Sequence, residues 1–275
     1  MRLAVRNTVI HLGAVIAVIL LCGFGFVGYQ MLADPIPQVM PSEWQHTWLA
    51  WSWQVRAGDV VASLAATGAL GIVASLGLIG ASRVFRRVSS AEVYFFALFL
   101  VGLAFEQLRL VQFYLLQLNL PAVYGTLLTR FVIVARIGGG FSFFMASLYA
   151  VGVDYPRIGS ITIALGLLAF LFVYFVPVDT VVVNATLLHP FAGQSSFELA
   201  FLIVGAMSIV NYVIAGVRGH RERGFLMALA ATSLVLAQEI AWSAASFSWL
   251  VAGVVLFIYG VFTFILVTRA HFLWY

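Results

Sequence analysis

The residues best placed to do chemistry are charged side chains set inside long apolar segments. They are Glu106, Arg109, Arg130, Arg136 and Glu239. Each costs about 2.5–3.5 kcal/mol near the centre of a membrane-spanning helix, so we expect all five to face the bundle interior and find partners. Arginine binds carboxylates and phosphates through two parallel N–H donors. The pattern predicts a pocket in the outer half of the membrane for an anionic small molecule or a lipid headgroup.

Two other interpretations use the same side chains. Helical rise places Glu106 at the depth of Arg136 and Arg109 at the depth of Glu239, which favours a purely structural ion-pair network. Alternatively, Glu106 or Glu239 relays protons, since a carboxylate in a dry site holds its proton more readily. Two carboxylates against three arginines leave one positive charge, and this surplus favours the anion pocket.

The elements that must position these residues follow from composition. Hydrophobic residues make up 63% of the 275 positions and charged residues 9%, against about 25% charged in soluble domains. A spanning helix needs roughly 20 apolar residues. Eight segments qualify: about 8–29, 59–81, 91–117, 121–152, 158–178, 197–217, 224–245 and 248–268. The predicted fold is an all-α polytopic transmembrane bundle of about eight spanning helices.

We divide the chain into three regions. Residues 1–29 form an N-terminal transmembrane anchor, residues 30–58 an outer loop, and residues 59–275 a seven-helix transmembrane core. The outer loop holds four tryptophans, and tryptophan favours the headgroup layer. The tryptophans of this loop therefore predict a short interfacial helix on the outer face.

Arginines in the loops set the orientation. They cluster before the first span and after the second, fourth, sixth and eighth, whereas the opposite loops carry Arg56. Positive charge marks the cytoplasmic side. We therefore expect both termini inside, and a multi-pass protein of the cell inner (cytoplasmic) membrane.

Several function classes are excluded. The chain has no lysine, so it cannot form the Schiff base of a retinal protein. The sequence GFGFVG from Gly23 to Gly28 lies inside the first span, where close helix packing explains it better than a dinucleotide site. The histidines lack the spacing of a metal site, and nothing resembles a hydrolase elbow or a P-loop. We predict no metal, no cofactor and no nucleic-acid partner.

Two further features concern helix packing. The glycine triplet 138–140 follows Arg136 in the fourth span. It predicts either tight packing against a bulky neighbour or an unwound hinge, which a membrane allows only where backbone is buried or wet. Asn211 in the sixth span predicts an interhelical hydrogen bond.

These inferences favour a non-enzymatic membrane protein, receptor-like or an accessory subunit, that binds an anionic small molecule or lipid at the five charged residues. Its partners would be membrane lipid and a membrane protein, because we expect any signal to pass to a separate protein and find no soluble signalling module in these 275 residues. Spans two to eight are similar in topology, though in no motif, to bacterial seven-helix sensor modules. A secondary transporter for an anionic or proton-coupled substrate is the first alternative, and a lipid-modifying membrane enzyme is the second.

Overall fold

The computed structural model describes residues 3–33, 59–85, 90–118, 120–153, 157–180, 188–218, 221–242 and 247–273. Within these ranges the chain forms nine α-helices and a single isolated bridge between Val178 and Phe191. The helices are α1 (Leu3–Ala33), α2 (Asp59–Val84), α3 (Ala91–Phe105), α4 (Leu108–Gln117), α5 (Ala122–Val151), α6 (Ile158–Phe175), α7 (Gln194–Arg218), α8 (Arg221–Trp242) and α9 (Phe247–Leu273). The interfacial helix was predicted in the outer loop 30–58, and residues 34–58 of this loop lie outside the described residues.

The prediction of an all-α polytopic bundle is confirmed. In the described parts of the chain, eight segments are long and apolar enough to cross a membrane, and they match the eight predicted spans. The third span comprises α3 and the start of α4, which a short turn separates. The loops on one side of the bundle hold most of the loop arginines, and we call this the arginine-rich side and its opposite the arginine-poor side.

Helices α2, α3, α5 and α8 are the most buried of the spans. α3 packs between α2 and α5, and α8 packs between α7 and α9. Toward the arginine-rich side, rings from α3, α5 and α9 meet in an aromatic core, where Phe96 stacks on Phe264 with ring centroids 3.7 Å apart and Phe99 lies 4.8 Å from Phe143. This half of the interior is filled by side chains that bury large apolar areas.

The glycine triplet lies in a continuous helix, because α5 runs unbroken from Ala122 to Val151. Its glycines instead allow close contacts. A Cβ on Gly102 of α3 would come within 2.8 Å of the Cα of Gly139, and the ring of Phe201 rests against Gly140. The tight-packing interpretation is therefore correct, and the hinge interpretation is wrong for the described structure.

Other packing predictions had mixed outcomes. The Asn211 side chain donates to Ser147 Oγ at 3.0 Å and joins α7 to α5, which confirms the predicted interhelical hydrogen bond. By contrast, a Cβ on Gly23, Gly25 or Gly28 would meet no atom of the described residues within 4 Å. The expected close packing of this motif on another helix is therefore not found among the described residues.

The contact between α3 and α5 can be tested by paired glycine substitutions. We expect Gly102→Ala to lower the free energy of unfolding by about 1–3 kcal/mol, because the new methyl meets backbone atoms of α5 that cannot rotate away. Gly138→Ala, where no atom of the described residues lies within 4 Å of the new Cβ, should be neutral or gain roughly 0.5–1 kcal/mol. Unfolding in detergent micelles measures both, and equal effects would contradict the contact.

Candidate functional site

The third span changes its hydrogen bonding at its charged pair. In the turn between α3 and α4, the Arg109 N–H donates to the Glu106 carbonyl at 3.2 Å and the Leu110 N–H donates to the Gln107 carbonyl at 2.9 Å. Such bonds between residues three apart form a tightened turn, which often marks a functional position within a longer helix. The turn sets the two charges side by side, with Arg109 Nη2 3.6 Å from Glu106 Oε2.

Helix α8 supplies the partners for these charges and for Arg136. Gln238 Nε2 donates to Glu106 Oε1 at 3.1 Å. Arg136 Nη2 donates to Glu239 Oε1 at 2.7 Å, and the guanidinium of Arg136 is fully buried. Two neighbouring residues of α8 therefore tie together the interrupted third span and the middle of α5.

Trp242 lies one turn beyond Gln238 on α8 and contacts both guanidinium groups. Its ring centroid lies 3.8 Å from Arg136 Cζ and 4.5 Å from Arg109 Cζ. The ring of Phe201 on α7 covers Arg136 as well, at 4.6 Å. Cation–π contacts contribute about 2 kcal/mol when desolvated, so they help to hold two like charges near each other in the interior.

A third carboxylate, Glu198 on α7, joins this group. Its side chain is buried, accepts a hydrogen bond from Gln194 Nε2 at 3.0 Å, and interacts electrostatically with Arg136 and Glu239. We call the whole set the interior cluster. It consists of Glu106, Arg109, Arg136, Glu198, Gln238, Glu239 and Trp242.

The structure brings together four of the five charged residues singled out from the sequence: Glu106, Arg109, Arg136 and Glu239. Arg130 is separate. It lies six residues before Arg136, roughly 9 Å along the axis of α5, is only half-buried, and forms no ion pair with any described residue.

The sequence analysis missed Glu198, Phe201 and Trp242. A signal for the first two was present, because Glu198, Phe201, Gly205 and Ser208 recur every three or four residues and share one face of α7. For Trp242, the signal was its position one helical turn from Gln238 and Glu239.

Most of the unpaired buried polar atoms of the interior cluster are hydrogen-bond donors, and one, Glu106 Oε2, is an acceptor. Several of its buried N–H groups have no hydrogen-bond acceptor among the described residues. They belong to Arg109 Nη1 and Nη2, Arg136 Nε and Nη1, and Trp242 Nε1. A buried polar group left unpaired costs about 1–3 kcal/mol. Such a surplus of donors fits a site that receives an acceptor-bearing ligand.

The segment before α7 covers the arginine-poor end of this region. Leu188 packs with Val132 and Trp242, and the His189 N–H donates to Thr129 Oγ1 at 3.2 Å. The His189 ring and the amide of Gln112 both meet the backbone at Gly125, where a Cβ would lie 2.7 Å from each Nε2. Buried side chains thus close the cluster on this side.

Two cavities lie beside the interior cluster. A small one of about 10 Å³ is lined by Gln238, Glu239, Phe201 and Val204, among others. A cavity of this size holds about one water molecule. A larger groove of about 450 Å³, almost entirely apolar, runs between α5, α6 and α7 toward the lipid, and Phe201 and Val204 line it as well.

Fold and site together define a polytopic α-helical membrane protein with a hydrogen-bonded group of charges inside its bundle. The described residues contain no group of three or more histidine, cysteine or carboxylate side chains placed to hold a metal ion. Comparison of the chain with protein-family models, with curated proteins and with solved structures gives no match.

The ion pair between Arg136 and Glu239 can be tested by a double-mutant cycle. We expect Arg136→Gln alone to cost about 3–5 kcal/mol in free energy of unfolding, because it leaves the Glu239 carboxylate buried without its cation. Glu239→Gln alone should be similarly destabilising. The double variant should recover about 1–3 kcal/mol relative to the sum of the single effects. Additive losses, measured by unfolding in detergent, would show that the two side chains are not coupled.

Proposed function

We propose that this chain is a non-enzymatic protein of the cytoplasmic membrane, with both termini inside, that binds an oxyanion-bearing molecule in its interior cluster. It would act as a receptor or as an accessory subunit of a membrane complex. The orientation follows from the arginines of the loops. The ligand is a carboxylate or a phosphate, because planar guanidinium groups bind these oxyanions through paired hydrogen bonds.

The surplus of buried donors carries this proposal. A purely structural network would pair its guanidinium N–H groups, since a half-satisfied buried network is less stable than an apolar core. Here Arg136 uses Nη2 on Glu239, while its Nε and Nη1 and both Nη atoms of Arg109 have no hydrogen-bond acceptor among the described residues. Both guanidinium groups lie against the same indole ring, which keeps their unpaired donors in one region of the interior.

The charge balance of the cluster sets a condition on binding. The sequence predicted one surplus positive charge, but Arg130 lies outside the cluster and Glu198 lies inside. Among the described residues, the cluster contains three carboxylates and two guanidinium groups. Adding an anion to an interior that already has excess negative charge is unfavourable. We therefore expect the anion to bind together with a proton, and binding to strengthen as pH falls.

Binding can be measured as thermal stabilisation of the purified protein by acetate, inorganic phosphate and hexadecanoate. We expect at least one of these anions to stabilise the wild type, with a larger effect at pH 6 than at pH 8. Arg109→Gln and Arg136→Gln should each weaken this binding about tenfold to a hundredfold, since a hydrogen bond to a charged group contributes about 1.5–3 kcal/mol.

Arg130→Gln is the matched control. It removes a guanidinium from the same helix as Arg136 but outside the interior cluster, so the affinity for the anion should stay at the wild-type value. Mass spectrometry of the organic extract of the purified chain would identify any bound natural ligand. The proposal is wrong if Arg109→Gln and Arg136→Gln bind every tested anion as the wild type does.

A second candidate, a secondary transporter, is favoured by the interruption of the third span at Glu106 and Gln107. Discontinuous helices at mid-membrane commonly form the substrate sites of transporters. For a transporter, we expect proteoliposomes to accumulate the stabilising anion along a pH gradient, and Glu239→Gln to abolish this uptake while binding persists. For a binding protein, proteoliposomes show no uptake above that of protein-free vesicles.

A further inference from the structure

The larger groove places an apolar, lipid-facing surface next to the buried charges. Helix α5 contributes Ile137 and Phe141 and α6 contributes Leu168 and Phe172. From α7 the lining residues are Ser196, Phe197, Ala200, Phe201 and Val204. Leu168 and Phe172 are about half exposed on the outer surface of the bundle. Its volume of about 450 Å³ lies in the usual range of ligand pockets, roughly 300–1,000 Å³.

Two side chains separate this groove from the interior cluster. Phe201 and Val204 line both the groove and the small cavity that touches Gln238 and Glu239. Phe201 is the more important of the two, because its ring also covers the guanidinium of Arg136 at 4.6 Å. The ring therefore lies between the apolar groove and the guanidinium of Arg136.

The backbone beneath Phe201 makes room for the ring. The ring rests directly against Gly140, where any Cβ would overlap its atoms. On the opposite side its neighbours are the ring of Phe197, with centroids 6.0 Å apart, and the groove itself. The ring thus lies between Gly140, which it contacts, and the open volume of the groove that it lines.

We propose that the ligand is a single-chain carboxylic acid that enters from the bilayer along this groove, and that Phe201 is the partition it displaces to reach Arg136. This inference rests on the proposed function and specifies its ligand class. The apolar chain occupies the groove, and the carboxylate accepts hydrogen bonds from Arg136 Nη2, which Glu239 releases, and from Nη1, which has no acceptor among the described residues.

The small cavity behind Phe201 limits the size of the polar group that the ligand can carry. The small cavity holds about one water molecule. A carboxylate has three heavy atoms and fits this space once the ring has moved, whereas the headgroup and glycerol of a phospholipid do not. A single-chain acid therefore fits better than a two-chain lipid.

The charge balance also favours an acid that arrives protonated. A long-chain carboxylic acid crosses the apolar groove in its neutral form. At the cluster its O–H bond breaks, the proton passes to the carboxylate of Glu239, and the ligand carboxylate replaces Glu239 as the partner of Arg136. The net charge among Glu106, Arg109, Arg136, Glu198 and Glu239 with the ligand then equals that before binding.

The test measures thermal stabilisation of the full chain by hexadecanoate, with hexadecan-1-ol and acetate as comparison probes. We expect hexadecanoate to stabilise the wild type, and the alcohol and acetate to act at least tenfold more weakly, because each lacks one half of the recognised molecule. Ala200→Phe fills the groove and should raise the hexadecanoate concentration for half-maximal effect about tenfold or more.

Leu199→Phe is the matched control, since Leu199 is 55% exposed on the neighbouring position of α7 and does not line the groove. It should bind hexadecanoate as the wild type does. Ser196→Phe at the other end of the groove is a second filling variant, used if Ala200→Phe does not fold. Phe201→Ala removes the partition and should bind hexadecanoate at least as tightly as the wild type.

The outcomes separate this inference from the proposed function. If the groove-filling variants bind hexadecanoate normally while Arg136→Gln does not, the entry route is wrong and the interior site stands. If hexadecan-1-ol stabilises as well as the acid, the groove takes an ordinary apolar chain and the inference fails. If Arg109→Gln and Arg136→Gln leave the binding of all anions unchanged, the proposed function fails and the inference fails with it.

Discussion

The ion pair between Arg136 and Glu239 is the interaction on which the rest of the interior depends. A charge inside a lipid-embedded bundle must be paired, because neither lipid nor apolar side chains can solvate it. The pair joins the middle of α5 to the end of α8 at 2.7 Å. Trp242 follows Glu239 by three residues, so the same stretch of α8 supplies both an anion and an aromatic face to the arginine. Moving either helix would separate all these contacts at once.

Close helix packing makes this arrangement possible. The backbones of α3 and α5 approach at Gly102 and Gly139, within one turn of Glu106 and Arg136 along their helices. Small residues let helices approach closely in membranes, where no hydrophobic effect drives association. Toward the arginine-rich side, stacked aromatic rings fill the interior. The polar cluster therefore borders an aromatic part of the interior, and the Phe201 ring lies between it and the apolar groove.

Much of the candidate site was visible in the sequence, for a physical reason. Charged residues are costly inside apolar spans, so Glu106, Arg109, Arg136 and Glu239 could be recognised as interior residues from position alone. The same reasoning included Arg130, which lies six residues from Arg136 and so on another face of α5, outside the cluster. It omitted Glu198, because a carboxylate near the end of a span is usually solvated at the membrane surface. Here Glu198 is buried and accepts a hydrogen bond from Gln194.

The sequence by itself determined the number, the approximate bounds and the helical nature of the spans, since these depend on local apolar length and on the need to satisfy backbone hydrogen bonds within each segment. Only the tertiary structure decided which charges meet. Arg136 and Glu239 are 103 residues apart, and Glu106 and Gln238 are 132 residues apart. Helical periodicity determines the face of a helix on which a side chain lies, but the neighbour that this face meets depends on how all the helices pack together. For the same reason, the position of Phe201 between the groove and Arg136 could be seen only in the folded chain.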